Sequence, residues 1–175
     1  MMIRATVPGD IPAVMAIIEE ERRTIAALGI DQWQNGSPNK ATITRDVEEG
    51  QSRVVVLEGE VVGTFAVIDN GEPVYAVMED GAWLTPDRDA EGNWTYVALH
   101  RVAISLAHRG SGISTAVIRY AEETARSMGR RSLRIDTHEG NVVMRRMLEK
   151  HGFVRCGVIH LENGDPRVAY EKIVS

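Results

Sequence analysis

The chain has 175 residues, 43% of them hydrophobic and 26% charged, which is typical of a folded globular domain and excludes a disordered or collagen-like chain. Its 20 basic and 25 acidic residues give a formal net charge of -5, without the positive surplus that binding to many phosphates requires. We therefore expect no nucleic acid as a main partner. Because a chain of this length buries roughly 70% of its unfolded surface, the sequence predicts one domain over residues 1–175.

The sequence carries one cysteine, Cys156, which cannot form an internal disulfide or supply a thiolate zinc site. Its strand-like surroundings favour a small buried apolar residue over a catalytic thiol. No apolar run approaches the roughly 18 residues of a membrane helix, and the N-terminal segment lacks the basic cluster of a signal peptide. His151 and His160 have no partner at metal-ligand spacing. We expect a cytoplasmic protein with no membrane partner and no metal site.

Strand and helix patterns alternate in the first half of the chain. Apolar residues alternate over residues 3–7, as in a short strand, and recur at helical spacing from about Asp10 to Leu28, with Asp10 placed to cap that helix. A polar loop precedes a second predicted helix over residues 41–49. The two β-branched runs of RVVVLEGEVVGTFAVI then predict a hairpin.

The second half begins with a long segment, residues 70–93, that is rich in Gly, Pro, Asp and Glu and is uncommon in compact domains unless it serves a function or contains hidden structure. After it the patterns predict a strand, TYVALHRVAIS; a helix, GISTAVIRYAEETARSMG; a strand, SLRIDTH; a helix, NVVMRRMLEKHG; and two strands, FVRCGVIHL and RVAYEKIV. Strands and helices mixed in this order favour one α/β domain.

A glycine-containing turn, AISLAHRGSGIS, joins a predicted strand to a predicted helix. Gly110 and Gly112 allow the backbone to approach a ligand closely, the helix start attracts an anion, and Arg109 adds a charged donor. The pattern is neither a Walker loop nor GxGxxG. It predicts a phosphate or pyrophosphate site, although two glycines that merely form a tight turn would leave the same pattern.

Two segments resemble motifs of the GNAT N-acetyltransferases. RGSGIS, formed by Arg109, Gly110, Ser111, Gly112, Ile113 and Ser114, resembles the acyl-CoA loop R/Q-x-x-G-x-G/A, with serine as the last residue where the family prefers glycine or alanine. Downstream, NVVMRRMLEKHGF resembles N-x-x-A-x-x-L-Y-E-K-x-G-F, with Asn141, Glu149, Lys150, Gly152 and Phe153 in register. Because both occur in the family's order, the chain resembles a small bacterial member over nearly its whole length.

The resemblance implies an α/β fold in which a mostly antiparallel twisted sheet of about seven strands is flanked by about four helices, with the cofactor at the splay between the fourth and fifth strands. It implies acetyl-CoA as cofactor and direct attack by a primary amine of a small-molecule or amino-acid-like acceptor. By register the backbone N–H of Ile104 would stabilise charge on the thioester oxygen. The implied cofactor-binding residues are Val102, Ala103, Ile104, Arg109, Gly110, Ser111, Gly112, Ile113, Ser114 and Asn141.

A base is needed because presenting a lysine-like amine uncharged at neutral pH costs roughly 4.6 kcal/mol. His100 is the first choice, since it has the side-chain parity of Val102 and Ile104 and resembles a strand histidine that arylalkylamine acetyltransferases use through water. His138, next to Glu139, is the second choice. A structural role for His100, and a capping or solvated role for His138, remain open.

Leu148 stands where the family has the tyrosine usually proposed to protonate the leaving thiolate. Leucine has no proton to donate. The thiolate therefore leaves unaided or through water, another donor such as Ser105, Tyr96 or His138 replaces the tyrosine, or the domain no longer catalyses transfer.

The three tryptophans, Trp33, Trp83 and Trp94, lie in polar sequence rather than in apolar periodic runs, which predicts an aromatic-lined acceptor pocket or, alternatively, loop anchors. The acidic segment around Trp83 would attract a cationic amine, unless it is simply a solvated loop. Two other functions remain open: acetylation of a protein or peptide, and a catalytically silent acyl-CoA-binding regulator. A homodimer, common in the family, is the possible assembly.

Overall fold

The computed structural model describes residues 1–174 and contains one seven-stranded mixed sheet in the order β1-β2-β3-β4-β5-β7-β6. The β4–β5 pair is parallel, and the β1–β2, β2–β3, β5–β7 and β6–β7 pairs are antiparallel. This confirms the predicted α/β fold class. The strands are β1 (Met2–Ala5), β2 (Ser52–Leu57), β3 (Glu60–Ile68), β4 (Tyr96–Ile104), β5 (Ser132–Thr137), β6 (Val154–His160) and β7 (Pro166–Ile173). The helices are α1 (Ile11–Ala27), α2 (Lys40–Glu48), α3 (Ile113–Ser127) and α4 (Val142–Lys150).

The described residues divide into two compact units. Unit 1 comprises Met1–Val67 with His100–Val117, and unit 2 comprises Ile68–Leu99 with the chain from Ile118 onward. Among residues 1–174, no helix is both long and apolar enough to cross a membrane. The prediction of one domain over the whole chain stays a prediction.

Unit 1 has its core where α1, α2 and β2 meet. The apolar stripe of α1 buries Val14 and Ile18 completely, and these side chains cluster with Ile43 of α2 and Val54 of β2. The ring of Trp33 packs against the same cluster. The period of about 3.6 residues in the sequence thus corresponds to the buried face of α1.

The start of α1 differs from the prediction. Asp10 makes no side-chain capping bond to this helix. Instead its carboxylate accepts the Val7 N–H at 2.9 Å and pairs with the Arg4 guanidinium through bonds of 2.6 and 3.0 Å. The carboxylate closes the short 3-10 turn Pro8–Asp10 that precedes α1, because an arginine and a backbone donor outcompete the helix start.

The β2–β3 hairpin has a two-residue turn. Glu58 and Gly59 both have positive φ, 51° and 89°, as a type I′ turn requires. Leu57 pairs with Glu60 across it, so Glu60 is the first residue of β3.

Residues 69–95, which we call the β3–β4 segment, contain ordered structure within unit 2. Pro73–Ala76 form a 3-10 turn. Further along, Glu79 and Val158 of β6 exchange two backbone hydrogen bonds of 2.8 and 2.9 Å, and the Ala82 N–H donates to the Cys156 carbonyl at 3.1 Å. Because β6 is the last strand of the sheet, this segment covers backbone groups that an edge strand would otherwise expose.

The edge contact is so close that it requires glycine on both sides. A Cβ at Gly81 would lie 1.8 Å from the Cys156 carbonyl oxygen. A Cβ at Gly157 would lie 2.7 Å from the Glu79 carbonyl oxygen and 2.6 Å from the Met78 sulfur. No real Cβ tolerates a backbone atom at these distances, so an added methyl must displace the segment.

Replacing Gly157 by alanine is therefore expected to destabilise the protein by about 1–3 kcal/mol through overpacking. Gly9→Ala is the matched control, since nothing lies within 4 Å of a Cβ at that position. Urea unfolding of both variants measures the difference. Equal stabilities would contradict the close approach of the segment to β6.

Candidate active site

The turn between β4 and α3 provides an open, glycine-lined surface in unit 1. Gly110 and Gly112 have φ values of 79° and 84°, and no atom lies within 4 Å of a Cβ built on either residue. The buried Ile113 then begins α3, whose first N–H groups point out of its N-terminus. An anion can approach the backbone here without meeting a side chain.

Two carboxylates of α1 hold this turn in place. Glu20 Oε2 accepts the Leu106 N–H at 3.0 Å, and Glu21 pairs with the Arg109 guanidinium. Burial raises the pKa of the Glu21 carboxyl, against the opposing positive charge of Arg109. The sequence contained no signal for a contact between α1 and a turn more than 80 residues further along the chain.

A residue in left-handed conformation interrupts β4. Arg101 has a φ of 55°, and its guanidinium contacts the buried Asp46 carboxylate of α2 through Nε at 2.6 Å and Nη2 at 2.8 Å. Such a conformation is strained for an arginine and persists only where surrounding contacts hold it. The alternation that assigned His100 the side-chain parity of Val102 and Ile104 does not hold through this residue, so that part of the prediction is wrong.

His100 lies half-buried beside this ion pair. Burial raises the pKa of Asp46, and the positive charges of Arg101 and Arg45 oppose the rise. His100 also interacts electrostatically with this buried carboxylate. Its catalytic role stays a prediction.

The tryptophans of unit 2 stack with arginines of the same unit. The Trp83 Nε1–H donates to the Tyr75 carbonyl at 2.9 Å, and its ring lies 4.3 Å from the Arg134 guanidinium carbon. The Trp94 ring centroid lies 3.8 Å from the guanidinium carbon of Arg88. In unit 1 the Trp33 carbonyl accepts a bond from Arg22. These contacts are those of loop anchors, and an acceptor-binding role for the three tryptophans stays a prediction.

A fully buried ion pair anchors the β3–β4 segment to the sheet. Arg134 of β5 and Glu171 of β7 have 0% exposed side chains and are joined by a bond of 3.2 Å. Arg134 also reaches Asp87 at 2.6 Å and the Thr85 carbonyl at 2.6 Å, while Glu171 accepts bonds from the Leu84 N–H and the Thr85 hydroxyl. Sequence analysis missed this cluster, although charged residues inside two apolar strands were a signal for it.

A second contact joins the same segment to β5. The hydroxyl of Tyr75, a residue with 1% exposure, donates to Asp136 Oδ1 at 2.7 Å. Burial, and after it the Asp136 carboxylate, raises the pKa of Tyr75 well above its usual value. Asp136 itself is half-buried.

The chain after β5 places two predicted site residues in local contacts. His138 Nδ1 accepts the Gly140 N–H at 2.9 Å, which assigns the proton of the neutral ring to Nε2. Asn141 is 5% exposed and caps α4, because its Oδ1 accepts the Met144 N–H at 3.2 Å. The catalytic role of His138 and the cofactor-binding role of Asn141 stay predictions.

The chain matches the Acetyltransferase (GNAT) family model over residues 14–153. The chain belongs to the GNAT acetyltransferase family. A search of curated proteins gives no match. Among solved structures, a GNAT-family acetyltransferase from Streptococcus agalactiae 2603 is 37% identical with a TM-score of 0.85, and 98% of this chain and 94% of that chain are covered.

Two further structures share the GNAT fold at lower identity. A GNAT-family acetyltransferase from Listeria monocytogenes 4b F2365 is 20% identical with a TM-score of 0.70, covering 98% of this chain and 94% of that chain. A ribosomal-protein-alanine N-acetyltransferase from Brucella melitensis is 22% identical with a TM-score of 0.65, covering 99% of each chain.

The GNAT chain departs from the family motif at Leu148, which is completely buried. Of the substitute donors, Tyr96 is also buried, and its hydroxyl accepts the Glu72 N–H at 2.9 Å. Ser105 is half-buried, and its N–H donates to the Val62 carbonyl at 2.9 Å.

Within residues 1–174, no group of three or more His, Cys, Asp and Glu side chains is arranged to hold a metal ion.

The Arg134–Glu171 ion pair generates a prediction about stability. Glu171→Gln leaves a buried guanidinium with the partly exposed Asp87 as its remaining charged partner, so the free energy of unfolding should fall by about 3–5 kcal/mol. Urea unfolding measures the loss, with the exposed Glu162→Gln as control. A loss no larger than that of the control would contradict the anchoring role of the pair.

Proposed function

We propose that this GNAT protein is an acetyl-CoA-dependent N-acetyltransferase that acts on a primary amine of a small molecule or an amino-acid-like acceptor. The observation that carries the proposal is the open turn at Gly110 and Gly112, followed directly by the start of α3. Backbone N–H groups, a helix N-terminus and a nearby arginine together match the chemistry of a diphosphate.

The residues of the turn fit coenzyme A by this criterion. Positive φ at both glycines and the empty space around them leave room for phosphate oxygens against the backbone. Arg109 is 38% exposed at its side chain, so it reaches solvent while Glu21 fixes it. Residues 109–114 would hold the diphosphate, Val102, Ala103 and Ile104 the pantetheine arm, and Asn141 a further part of the cofactor. When bound, acetyl-CoA supplies an acetyl group activated as a thioester.

Residues of this chain have to remove a proton from the acceptor's ammonium group, so that the amine is uncharged. His100 is the proposed base, acting directly or through water, because an imidazole binds protons near neutral pH. The strained conformation of Arg101, fixed by Asp46, determines the direction of β4 on both sides of it. We propose that this ion pair positions His100 and the backbone of Ile104 for their roles.

The proton for the leaving thiolate has a different source from that in most relatives. Leu148 cannot supply it. We propose that water supplies it, with Ser105, Tyr96 and His138 as the alternative donors. Losing such a donor costs little, since the pKa of a free thiol, about 8.5, is only some 1.5 units above neutral pH.

The assignment of the turn predicts the effect of a charged substitution. Gly112→Glu introduces a side chain and a negative charge where the diphosphate would lie, so calorimetry should find that coenzyme A binding is lost or weakened at least about 100-fold. Gly164→Glu is the matched control, because that residue has a φ of 87° and equally open surroundings in the β6–β7 hairpin. Unchanged affinity in Gly112→Glu would show that the loop assignment is wrong.

The activity itself is tested by thiol release from acetyl-CoA with amines, polyamines, amino acids, aminoglycosides and short peptides. Turnover with one small-molecule class is the expected result. Turnover with peptides alone would favour a peptide acetyltransferase, the activity that the Brucella melitensis protein's name carries. Tight coenzyme A binding without any turnover would favour a silent acyl-CoA-binding domain.

His100→Gln tests the base. In the variant we expect a loss of about 10²- to 10⁴-fold at neutral pH and a rate that rises with hydroxide concentration. A variant with the native pH profile and rate would remove His100 from the base role.

A further inference from the structure

Asp136 lies on a part of β5 that has no strand partner on its β4 side. The parallel β4–β5 pairing runs from Tyr96 and Ser132 to Ala98 and Arg134, whereas β5 continues to Thr137. On the other side Asp136 pairs with β7. Its side chain is half-buried, between the nearly buried neighbours Ile135 and Thr137. Alternation along the strand places it on the face of Arg134.

One oxygen of this carboxylate is fixed from the β3–β4 segment. The Tyr75 hydroxyl donates to Oδ1 at 2.7 Å from a completely buried ring. Because burial raises the pKa of Tyr75 well above its usual value, the hydroxyl keeps its proton and remains a donor. A carboxylate held through one oxygen is preorganised to accept hydrogen bonds at the other.

Asp136 is also a carboxylate without a positive partner. Three other buried or half-buried acids of unit 2 have one: Glu171 and Asp87 pair with Arg134, and Glu122 pairs with Lys172. Among the ion pairs formed by residues 1–174, none includes Asp136. A negative charge that is half-buried and hydrogen-bonded but not neutralised favours a cationic ligand.

Three aromatic rings of the same unit already have an arginine beside them. Arg134 lies 4.3 Å from the Trp83 ring and 4.0 Å from the Tyr96 ring, and Arg88 covers Trp94 at 3.8 Å. These arginines occupy the positions from which a ligand cation would contact the rings.

The charge around the site favours a cation as well, because the β3–β4 segment has seven acidic residues and one basic residue.

We propose that Asp136 binds the ammonium group of the acceptor through Oδ2, and that Tyr75 is the positioning residue for this carboxylate. The inference rests on the proposed acetyl transfer and specifies its substrate class: primary alkylamines that are cationic at neutral pH. Carboxylates are far weaker bases than alkylamines. Asp136 therefore binds the ammonium cation, and another group removes the proton from that ammonium.

Two amines of similar shape and different charge test the proposal. Benzylamine is a cation at pH 7.5, and aniline is uncharged. Asp136→Asn keeps the shape and an acceptor for the Tyr75 hydroxyl but removes the charge. We expect kcat/KM for benzylamine to fall about 10- to 100-fold, mostly through KM, with little change for aniline or for the Kd of coenzyme A. Glu162→Gln, an exposed acid in the β6–β7 hairpin, is the charge-matched control and should behave as the native protein does.

Tyr75→Phe separates positioning from folding. It should raise the KM for benzylamine about 3- to 10-fold at nearly unchanged kcat, and urea unfolding shows whether the variant remains folded at the assay temperature. Equal losses for both amines in Asp136→Asn, or a loss in kcat alone, would overturn the assignment of Asp136.

Direct binding distinguishes this inference from the proposed function. Benzylamine is titrated into native and Asp136→Asn protein, with the backbone amide shifts of β5 as readout. Binding that depends on Asp136 without any turnover would mean that acetyl transfer is wrong and the ammonium site stands. Turnover that does not depend on Asp136 would mean that acetyl transfer is right and the ammonium site is wrong. If benzylamine is neither bound nor turned over, the ammonium site is overturned.

Discussion

The buried ion pair between Arg134 and Glu171 is the contact on which the β3–β4 segment depends. Two charges with 0% exposure must be compensated inside the protein, because leaving either alone would cost several kcal/mol. The compensating groups are the Leu84 N–H, the hydroxyl and carbonyl of Thr85, and Asp87 from this segment, together with the Ser132 hydroxyl of β5. The β3–β4 segment is therefore ordered by hydrogen bonds and ion pairs to β5 and β7.

Unit 1 uses the same kind of interaction for a different purpose. Asp46 is nearly inaccessible, and its ion pair with Arg101 compensates a backbone conformation that arginine adopts at a cost of roughly 1–3 kcal/mol. A strained residue in the middle of a strand changes where the following side chains and N–H groups point. The strand is followed by the 3-10 turn Leu106–His108 and then by Gly110 and Gly112, so the ion pair fixes the part of the chain that precedes the proposed cofactor site.

Local patterns in the sequence predicted the elements, and long-range polar contacts limited the rest. The stripe of α1, the hairpin turn at Glu58 and Gly59, and the helix after the glycine turn follow from propensity and periodicity, which act over a few residues. The strained Arg101 and the diversion of Asp10 to Arg4 do not, because each depends on a partner set by the fold. The glycine turn was visible as a motif, whereas Tyr75 and Asp136, 61 residues apart, had no joint pattern.

The tryptophans show why residue type alone misleads about a binding site. Aromatic residues in polar sequence suit a pocket for a cationic amine, but they suit the chain's own arginines equally well, and here Arg88 and Arg134 take those positions. Each stacked guanidinium is tethered, so it holds its ring at a lower entropic cost than a free ligand would. In our proposal the group that remains for a cation from solution is the Asp136 carboxylate. The same segment covers the β6 edge through Glu79 and holds that carboxylate through Tyr75, so the proposed ammonium site depends on the segment that also protects the sheet edge.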